Sequence, residues 1–464
     1  MQQYLLDKEY EFSGEWWLPD TEERYHGILK FNTSGFDLKL NGSFDKSNKI
    51  SVDSPNKKHP KIYGECQGKY LTLLDAECLR SSVSLFNSVS INEKIKGKFL
   101  IVGGLFEKED FDSMSFYTPD LQAFMCHLVL NKEIQTSPKF KLKYELSKKP
   151  KEIINNILSI SSDIEIGYFW KESGSDYKKK IIETGAAFTI KPNTLKDINW
   201  FLEQRKKVTM WLTFLSGYGM SPLNIDCSVK DEKFDFLVAL PDQNYCSVNH
   251  PTDFFINKNL IGENFKSLLK SWFNLFEVYP NFRIPCALAF EILAEKVTRA
   301  HFVDFLNLMQ ALEGIHRAFY DGVYMNQEDY DNDVYPVVVK AIPDCVHQNH
   351  KASFKKRIEF GNEVSLIKRL NDLANDFDDE IKKILFGVKK KIPRAWVDTR
   401  NYFTHRDEKT KEKVLEGAEL YEAIVKLRGF LRFTILRLMG VPQKLMIDAL
   451  SNSSHISREL KQFL

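Results

Sequence analysis

Short runs that alternate apolar and polar residues fill the first part of the chain, a pattern typical of β-strands. The runs HGILKFN, DLKLNGSF, KIYGECQGKYLTLLDA and GKFLIVGGLF are rich in β-branched and aromatic residues, and turn-forming Gly, Asn, Asp and Ser separate them. Two adjacent tryptophans, Trp16 and Trp17, fill both faces of one strand before Pro19 ends it. A second aromatic cluster at residues 167–170 indicates a later strand of the same domain. We therefore predict an antiparallel β-rich domain, a sandwich or a barrel, over residues 1–192.

Helical spacing replaces this alternation near Leu195. Apolar residues then recur at intervals of three and four as far as Gly217, which predicts one long amphipathic helix that bridges two domains. Two short β-like runs, IDCSVK and KFDFLVALP, follow before helical spacing resumes in FKSLLKSWFNLFEVYPNF. Residues 193–300 are therefore predicted to form a helical and mixed connecting region.

From His301 onward the long segments carry apolar residues at i, i+3 and i+4, which predicts an up-and-down helical bundle over residues 301–464. These segments include HFVDFLNLMQALEGIHRAFY, ASFKKRIEFGNEVSLIKRLNDLANDF and EGAELYEAIVKLRGFLRFTILRLMG. Pro393 follows a Gly387 stop and a KKK run, and it marks the start of another bundle helix because proline is favoured in the first turn. The fold class is thus α+β multidomain, with a β-rich N-terminal domain and an all-α C-terminal domain.

Composition narrows the possible functions. Lys and Arg number 65 and Asp and Glu number 63, so the chain as a whole does not attract nucleic acid and any such contact must be a local patch. The seven cysteines are odd in number and include no C-x-x-C pair, which argues against a secreted disulfide framework. The N-terminus lacks the unbroken apolar stretch of a signal peptide, and no run of 18 apolar residues predicts a membrane span. We expect a cytoplasmic protein with no membrane partner.

The candidate chemistry lies in the bundle, in the hexapeptide R-N-x3-H formed by Arg400, Asn401 and His405. Asn401 and His405 are i and i+4 on one helix and share a face, and the long Arg400 side chain can reach the same surface. Histidine can exchange a proton with a ribose 2′-hydroxyl or a leaving 5′-oxygen near neutral pH, and arginine can neutralise charge on phosphate oxygens. Asn401 would orient the histidine or the phosphate. This chemistry requires no metal, because the 2′-hydroxyl is the nucleophile.

A purely structural interpretation of the same residues is that Arg400 pairs with a nearby acid such as Asp398 or Glu408 and that the histidine is a surface residue. Glu313, on an earlier bundle helix, is a further candidate. Its apolar neighbours in the sequence suggest a partly buried carboxylate that needs a partner, either as part of the site or as a structural salt bridge.

Two other clusters have defined chemistry. Cys345, His347 and His350 form a C-x-H-x2-H group with ligand types that suit structural zinc, to which Asp344 could add a fourth ligand, although a second ligand pair is missing. Basic residues near the hexapeptide are candidates for phosphate contacts with RNA, or are simply a solvated surface. These basic residues are Lys389, Lys390, Lys391, Arg394 and Arg406.

The segment VDTRNYFTHRDE on the penultimate long helix of a C-terminal bundle resembles the HEPN superfamily, whose ribonucleases carry an R-x4-6-H motif, very often with Asn after the Arg. Together with a β-rich region that opens on SGEWWLPD, it resembles the ApeA family of bacterial antiphage proteins more closely. The resemblance implies that Arg400, Asn401 and His405 are catalytic and that Glu313 faces them. It also implies a homodimer or larger assembly in which two motifs build one composite site.

The leading hypothesis is therefore a metal-independent endoribonuclease of abortive phage defence. It would cut RNA, a tRNA being one candidate, and leave 2′,3′-cyclic phosphate ends, while the β-rich domain senses a phage-derived trigger or restrains the nuclease. One alternative is a non-catalytic HEPN module that dimerises or binds RNA. Another is the toxin of a toxin–antitoxin pair.

Overall fold

The computed structural model describes residues 4–44, 57–84, 90–127, 130–135, 141–146, 151–175, 179–240, 248, 250–294, 301–406 and 408–463. Contacts divide the chain into two compact units. The β-rich unit contains Met1–Leu212, Tyr218–Pro251 and Asn257–Asn259, and the helical unit contains Thr213–Gly217, Thr252–Ile256 and Leu260–Leu464.

Antiparallel strands make up most of the β-rich unit, as the sequence predicts. The strands are β1 (Tyr10–Trp17), β2 (Tyr25–Asn32), β3 (Gly35–Asn41), β4 (Lys58–Cys66), β5 (Lys69–Ser84), β6 (Ser90–Gly97), β7 (Phe99–Val102), β8 (Asp110–Phe111), β9 (Ser113–Tyr117), β10 (Leu130–Gln135), β11 (Lys141–Leu146), β12 (Glu152–Ile157), β13 (Ser162–Ser175), β14 (Lys179–Pro192), β15 (Lys196–Asp197), β16 (Asn224–Val229) and β17 (Glu232–Val238). The short helix α1 (Leu121–Phe124) interrupts them.

Thirteen of these strands form one sheet in the order β12-β13-β14-β9-β16-β17-β7-β5-β4-β1-β2-β3-β6. Strand β6 also pairs with β5, so the strands from β5 to β6 close into a barrel. Closure removes free edges from this part of the sheet. The aromatic cluster at residues 167–170 lies in β13, as predicted, and therefore belongs to the same sheet.

Trp16 of the barrel is fully buried. Its indole Nε1 donates to the carbonyl oxygen of Gly27 at 3.3 Å, which satisfies the polar atom of the ring. Gly64 lies against the other side of the ring, where an added Cβ would come within 2.6 Å of Trp16 Cζ3. Trp17 points to the other face, where the Arg24 guanidinium lies 4.2 Å from its ring centroid.

The predicted connecting region of residues 193–300 is not a separate unit. Strands β16 and β17 insert between β9 and β7 in the large sheet, so residues 224–238 belong to the β-rich unit. Helix α2 (Ile198–Ser216) confirms the predicted long helix and ends before Gly217, whose φ of 89° is a conformation that favours glycine. Its residues up to Leu212 count with the β-rich unit and the remainder with the helical unit.

The helical unit contains most of the remaining helices. These are α3 (Lys258–Ile261, shared between the units), α4 (Phe265–Val278), α5 (Arg283–Ala294), α6 (His301–Phe319), α7 (Gln327–Asp329), α8 (Tyr335–Lys340), α9 (Gln348–Glu359), α10 (Leu366–Asn375), α11 (Asp379–Phe386), α12 (Arg394–His405), α13 (Gly417–Leu438), α14 (Gln443–Ala449) and α15 (His455–Lys461). Helices α6 and α13 pack against each other through apolar stripes that include Leu312, Ile315, Leu427 and Phe430, all fully buried.

Arg432 of α13 is buried in this core without a carboxylate among its hydrogen-bond partners. Its guanidinium donates to the carbonyl oxygens of Thr213 at 3.1 Å, Phe214 at 2.7 Å and Leu293 at 3.4 Å. These carbonyls lie in the last turns of α2 and α5, and the Thr213 oxygen also accepts the backbone N–H of Gly217 at 2.9 Å. Burial, with a smaller contribution from Arg428, lowers the pKa of Arg432 to about 9.

Across the described residues, no helix combines the length and the apolar character needed to cross a membrane. The cysteines that the structure describes are free thiols, and Cys246 lies outside the described residues.

Candidate active site

Helix α12 carries the whole R-N-x3-H hexapeptide. Pro393 immediately precedes the helix as its N-cap, one position earlier than predicted, and Arg406 ends the helix with a φ of 54°. The buried face of α12 includes Trp396 and Thr399. Thr399 Oγ1 also accepts a hydrogen bond from the backbone N–H of Leu415 at 2.9 Å, which ties the returning chain to the helix. The motif residues Arg400 and Asn401, by contrast, are partly exposed, and His405 is exposed.

Arg400 is held by two neighbours. Its Nη1 donates to Asn401 Oδ1 at 3.3 Å, and its Nη2 lies 3.6 Å from Glu313 Oε2 on α6. The side chains of Arg400 and Glu313 are 30% and 22% exposed, so the ion pair is partly shielded from solvent. The partner of Arg400 is thus Glu313; Asp398 instead pairs with Arg394 at 3.4 Å.

Arg400 and Asn401 line one side of a pocket with a volume of about 340 Å³. Three elements surround it: α6, the first turn of α10 and α12. Its lining contains four arginines, Arg317, Arg369, Arg394 and Arg400, and one carboxylate, Glu313. The lining of the pocket therefore carries an excess of positive charge, which suits an anion such as a phosphate.

A chain of ion pairs connects Arg317 and Arg369 of the pocket to two carboxylates. Arg317 Nη2 lies 3.2 Å from Glu313 Oε1 and 2.9 Å from Glu363 Oε2, and Arg369 Nη2 lies 3.1 Å from the same Glu363 oxygen. Burial tends to lower the pKa of Arg317, but the two carboxylates outweigh it and raise that pKa. For Arg369 burial dominates, helped by the charge of Arg317, and its pKa is lowered. The network therefore holds two like charges close together.

His316 is buried and contacts Arg369 of this network. Arg369 Nη1 lies 3.2 Å from His316 Nδ1, and because arginine can only donate, Nδ1 accepts and the ring proton is on Nε2. That Nε2 then donates to Asp372 Oδ2 at 3.2 Å. Burial lowers the pKa of His316 against the opposing effect of Asp372, which agrees with a neutral ring in this position.

His405 stands apart from the pocket. It is the last residue of α12 and is exposed, and its side chain makes no hydrogen bond or ion pair with any residue that the structure describes. Its spacing of four from Asn401 puts the two residues on one helix face, but the pocket lining includes Arg400 and Asn401 and not His405. The histidine therefore presents its ring to solvent beside the pocket.

The predicted RNA-contacting residues differ in their surroundings. Lys389 and Lys391 are exposed, and Lys390 Nζ pairs with Asp379 at 2.7 Å. Arg394 lines the pocket, whereas the Arg406 guanidinium lies 5.7 Å from the ring centroid of Tyr402. The structure thus brings one of the five, Arg394, into the pocket with Arg400.

The C-x-H-x2-H cluster does not come together as a metal centre. Cys345 is exposed, and His347 Nδ1 instead accepts the backbone N–H of Asn349 at 3.3 Å as the N-cap of α9. Asp344 pairs with Lys351 at 2.9 Å. The ring centroids of His347 and His350 are 6.0 Å apart, and within the described ranges no three His, Cys, Asp or Glu side chains are grouped to hold a metal ion.

Sequence reasoning missed Arg317 and Arg369. Each nevertheless carries a signal in the sequence. Arg317 follows Glu313 by four residues on a helix, the spacing of an ion pair. Arg369 falls on the apolar stripe of α10 beside Leu370 and Leu373, and a charge on a buried stripe requires partners.

Comparison with protein families agrees with this architecture. The model of ApeA N-terminal domain 1 matches residues 11–272, more than half of the chain, and the model of Apea-like HEPN matches residues 306–445. The chain therefore belongs to the ApeA family of antiphage HEPN proteins. No curated protein and no solved structure gives a significant match. The N-terminal match extends beyond residue 192, as strands β16 and β17 do.

Proposed function

We propose that the protein is a metal-independent endoribonuclease that acts in antiphage defence. The observation that carries the proposal is the cationic pocket in which Arg400 and Asn401 of the R-N-x3-H motif lie together. Four guanidinium groups in one pocket match the charge of a polynucleotide backbone. The family assignment favours the same chemistry, because HEPN domains are generally nucleases.

In this proposal each residue of the motif has one task. His405 removes the proton from a ribose 2′-hydroxyl, whose oxygen attacks the adjacent phosphorus and forms the O2′–P bond. The P–O5′ bond breaks, and the leaving 5′-oxygen takes up a proton, so the products are a 2′,3′-cyclic phosphate and a 5′-hydroxyl. Arg400 neutralises the charge that grows on the non-bridging oxygens, and Asn401 orients the Arg400 fork by accepting its Nη1 hydrogen bond.

A homodimer is part of the proposal. Attack and departure need a base and an acid at the same phosphate, and the motif of one chain contains a single histidine. Because His405 is exposed and lies outside the lining of its own pocket, a second copy can place its histidine at the same phosphate. Two facing motifs would then form one composite site.

Cytoplasmic RNA, a tRNA being the leading candidate, is the proposed substrate. Lys389, Lys390, Lys391 and Arg406 would make further contacts with its backbone. Since an unrestrained ribonuclease would damage its own cell, the β-rich unit is proposed to restrain the site until a phage-derived trigger appears.

The test uses bacteria that express the wild-type protein, His405→Ala or the control His301→Ala. His301 is exposed at the start of α6, so its loss should leave the motif intact. We expect wild type and the control to reduce plaque formation and to produce new RNA 5′-hydroxyl ends on infection, and His405→Ala to do neither. Equal protection and equal RNA ends with His405→Ala would overturn the proposal, and protection without any new ends would favour a non-catalytic binding module.

A further inference from the structure

The pocket beside the motif is larger and more basic than one scissile phosphate requires. Arg400 and Asn401 lie on one side of it, and Arg317 and Arg369 lie on another. A role confined to the cleaved phosphate would leave these two arginines and Arg394 unexplained. The contacts of Arg400 are Glu313 and Asn401, and Arg317 bears on its position only through the shared Glu313.

Counted together with their carboxylate partners, the arginines of the pocket keep a net positive charge. Three carboxylates contact the arginines, namely Glu313, Glu363 and Asp398, but only Glu313 is part of the lining. Glu363 and Asp398 hold the guanidinium groups in position and offset part of their charge, so four arginines against three carboxylates leave a net charge of +1. Arg369 is buried and already donates to His316, Gly322 and Glu363, whereas Arg317 and Arg394 are exposed and keep N–H donors beyond those that their ion pairs use.

The backbone at the start of α10 adds to the positive potential in the pocket. Leu366 and Ile367, the first two residues of α10, line the pocket, and the first turn of this helix contains no acidic residue. The N-cap, Ser365, makes no side-chain hydrogen bond to the first turn. The positive end of the helix dipole therefore faces the same space as the arginines.

We propose that Arg317 and Arg394, with the first turn of α10 and the buried charge of Arg369, form a second phosphate subsite that holds the phosphate adjacent to the scissile one in a bound RNA strand. This inference rests on the proposed function, because it takes Arg400 and Asn401 as the contacts of the scissile phosphate. The subsite makes the enzyme recognise two consecutive phosphates, so a strand with a flanking phosphate is bound more tightly than one without.

The experiment measures binding in a His405→Ala background, where no RNA is cut. The probes are a dinucleoside monophosphate and the same molecule with an added 5′- or 3′-terminal phosphate, each titrated as a competitor of a fluorescein-labelled 12-nucleotide RNA. Arg317→Gln removes one arginine of the subsite; Arg317 is half exposed on α6, so this variant is expected to fold. Arg458→Gln, an exposed arginine of α15 outside the pocket, is the matched control.

We expect one of the terminal phosphates to raise affinity about tenfold, the value of one charge-assisted contact. The gain should persist in the Arg458→Gln control and fall to about twofold in Arg317→Gln. Should neither terminal phosphate raise affinity, or should the gain survive in both Arg317→Gln and a second variant, Arg394→Gln, the subsite is refuted.

The outcome also separates this inference from the proposed function. If wild type cuts RNA through His405 while the terminal phosphate has no effect, the subsite fails and the nuclease stands. If wild type cuts no RNA but the Arg317-dependent gain is present, the subsite stands as an anion site and the nuclease fails.

Discussion

Replacing Glu313 by glutamine asks whether its carboxylate holds Arg400 in its working position. Glu313 Oε2 lies 3.6 Å from Arg400 Nη2, and two unit charges at about this distance attract by roughly 4 kcal/mol at an effective dielectric constant of about 20. Both side chains are partly exposed, so solvent screens the pair and reduces its net interaction free energy to about 1 kcal/mol. This free energy corresponds to a factor of about five in rate.

The variant should change kcat and KM in a characteristic way. We expect kcat to fall about fivefold, because Arg400 loses the group that orients it toward the charge of the transition state. KM should fall as well, since the substitution removes the one carboxylate that lines the pocket. A simple structural defect would instead raise KM or unfold the protein.

A fluorogenic RNA that the wild type cleaves gives both constants in a steady-state assay. The control is Glu422→Gln, which breaks an i,i+4 pair with Lys426 on α13 and should leave both constants unchanged. An unchanged kcat, or a KM that rises, would refute a positioning role for Glu313.

Three further predictions concern stability. Burial lowers the pKa of His316 in the folded state, so the unfolded chain binds more protons at this residue. The stability that the neutral ring contributes is therefore present above pH 6.5, the ordinary pKa of histidine, and is lost as the pH falls below that value. Melting temperatures at pH 7.5 and 5.5 should therefore differ more for wild type than for His316→Gln. Arg432→Leu removes a donor that three carbonyl oxygens share, of which the Thr213 oxygen keeps the Gly217 N–H, and should lower the free energy of unfolding by about 3 kcal/mol in urea titrations. A loss below about 1 kcal/mol would contradict the role of Arg432 as their donor. Gly64→Ala forces a Cβ to within 2.6 Å of the Trp16 ring and should destabilise the β-rich unit by about 1–3 kcal/mol.

Each of these predictions has a control or a contradicting result. An equal pH dependence of melting in wild type and His316→Gln would show that this histidine is not held neutral. Gly167, in β13, has open space where a Cβ would lie, so Gly167→Ala should leave stability nearly unchanged when Gly64→Ala does not. Similar melting of the two alanine variants would contradict the packing described around Trp16.

Local patterns predicted the kinds of element correctly but not their long-range pairing. The alternating runs identify the N-terminal strands and the 3.6-residue spacing identifies α2, because each pattern depends on neighbouring residues alone. The insertion of β16 and β17 between β9 and β7 depends on partners about a hundred residues away, and no local period encodes it. For this reason the sequence placed residues 224–238 in a connecting region.

The same limit applies within the bundle. The apolar spacing of ASFKKRIEFGNEVSLIKRLNDLANDF predicts helix throughout this segment. The segment instead forms two helices, α9 and α10, with Gly361 and Asn362 between them. Asn362 is buried, and its side chain hydrogen-bonds to the backbone of Met325. Its Oδ1 accepts the Met325 N–H at 3.1 Å, and its Nδ2 donates to the Met325 carbonyl oxygen at 3.0 Å. A side chain that bonds to backbone outside the helix competes with helix formation.

For the candidate site, the sequence indicated the motif and its helix, and the structure adds what surrounds them. Spacing alone places Asn401 and His405 on one face, and Pro393 marks where their helix begins. The pairing of Arg400 with Glu313 joins residues about ninety positions apart. Arg317 of α6 and Arg369 of α10 also reach the pocket from helices that are distant from α12 in the sequence. The exclusion of His405 from the pocket lining also requires the three-dimensional arrangement, because it depends on where α12 ends.

Cleavage of RNA by the purified protein, with extract of phage-infected cells as the source of the trigger and with EDTA, is the most direct test of the central claim. The account predicts that wild type produces ends with 2′,3′-cyclic phosphates under these conditions, and that neither His405→Ala nor Arg400→Lys does so. Arg400→Lys keeps the charge but loses the planar fork, so its failure would show that guanidinium geometry matters. Cleavage that EDTA abolishes, that leaves 3′-hydroxyl ends, or that continues in His405→Ala would contradict the account.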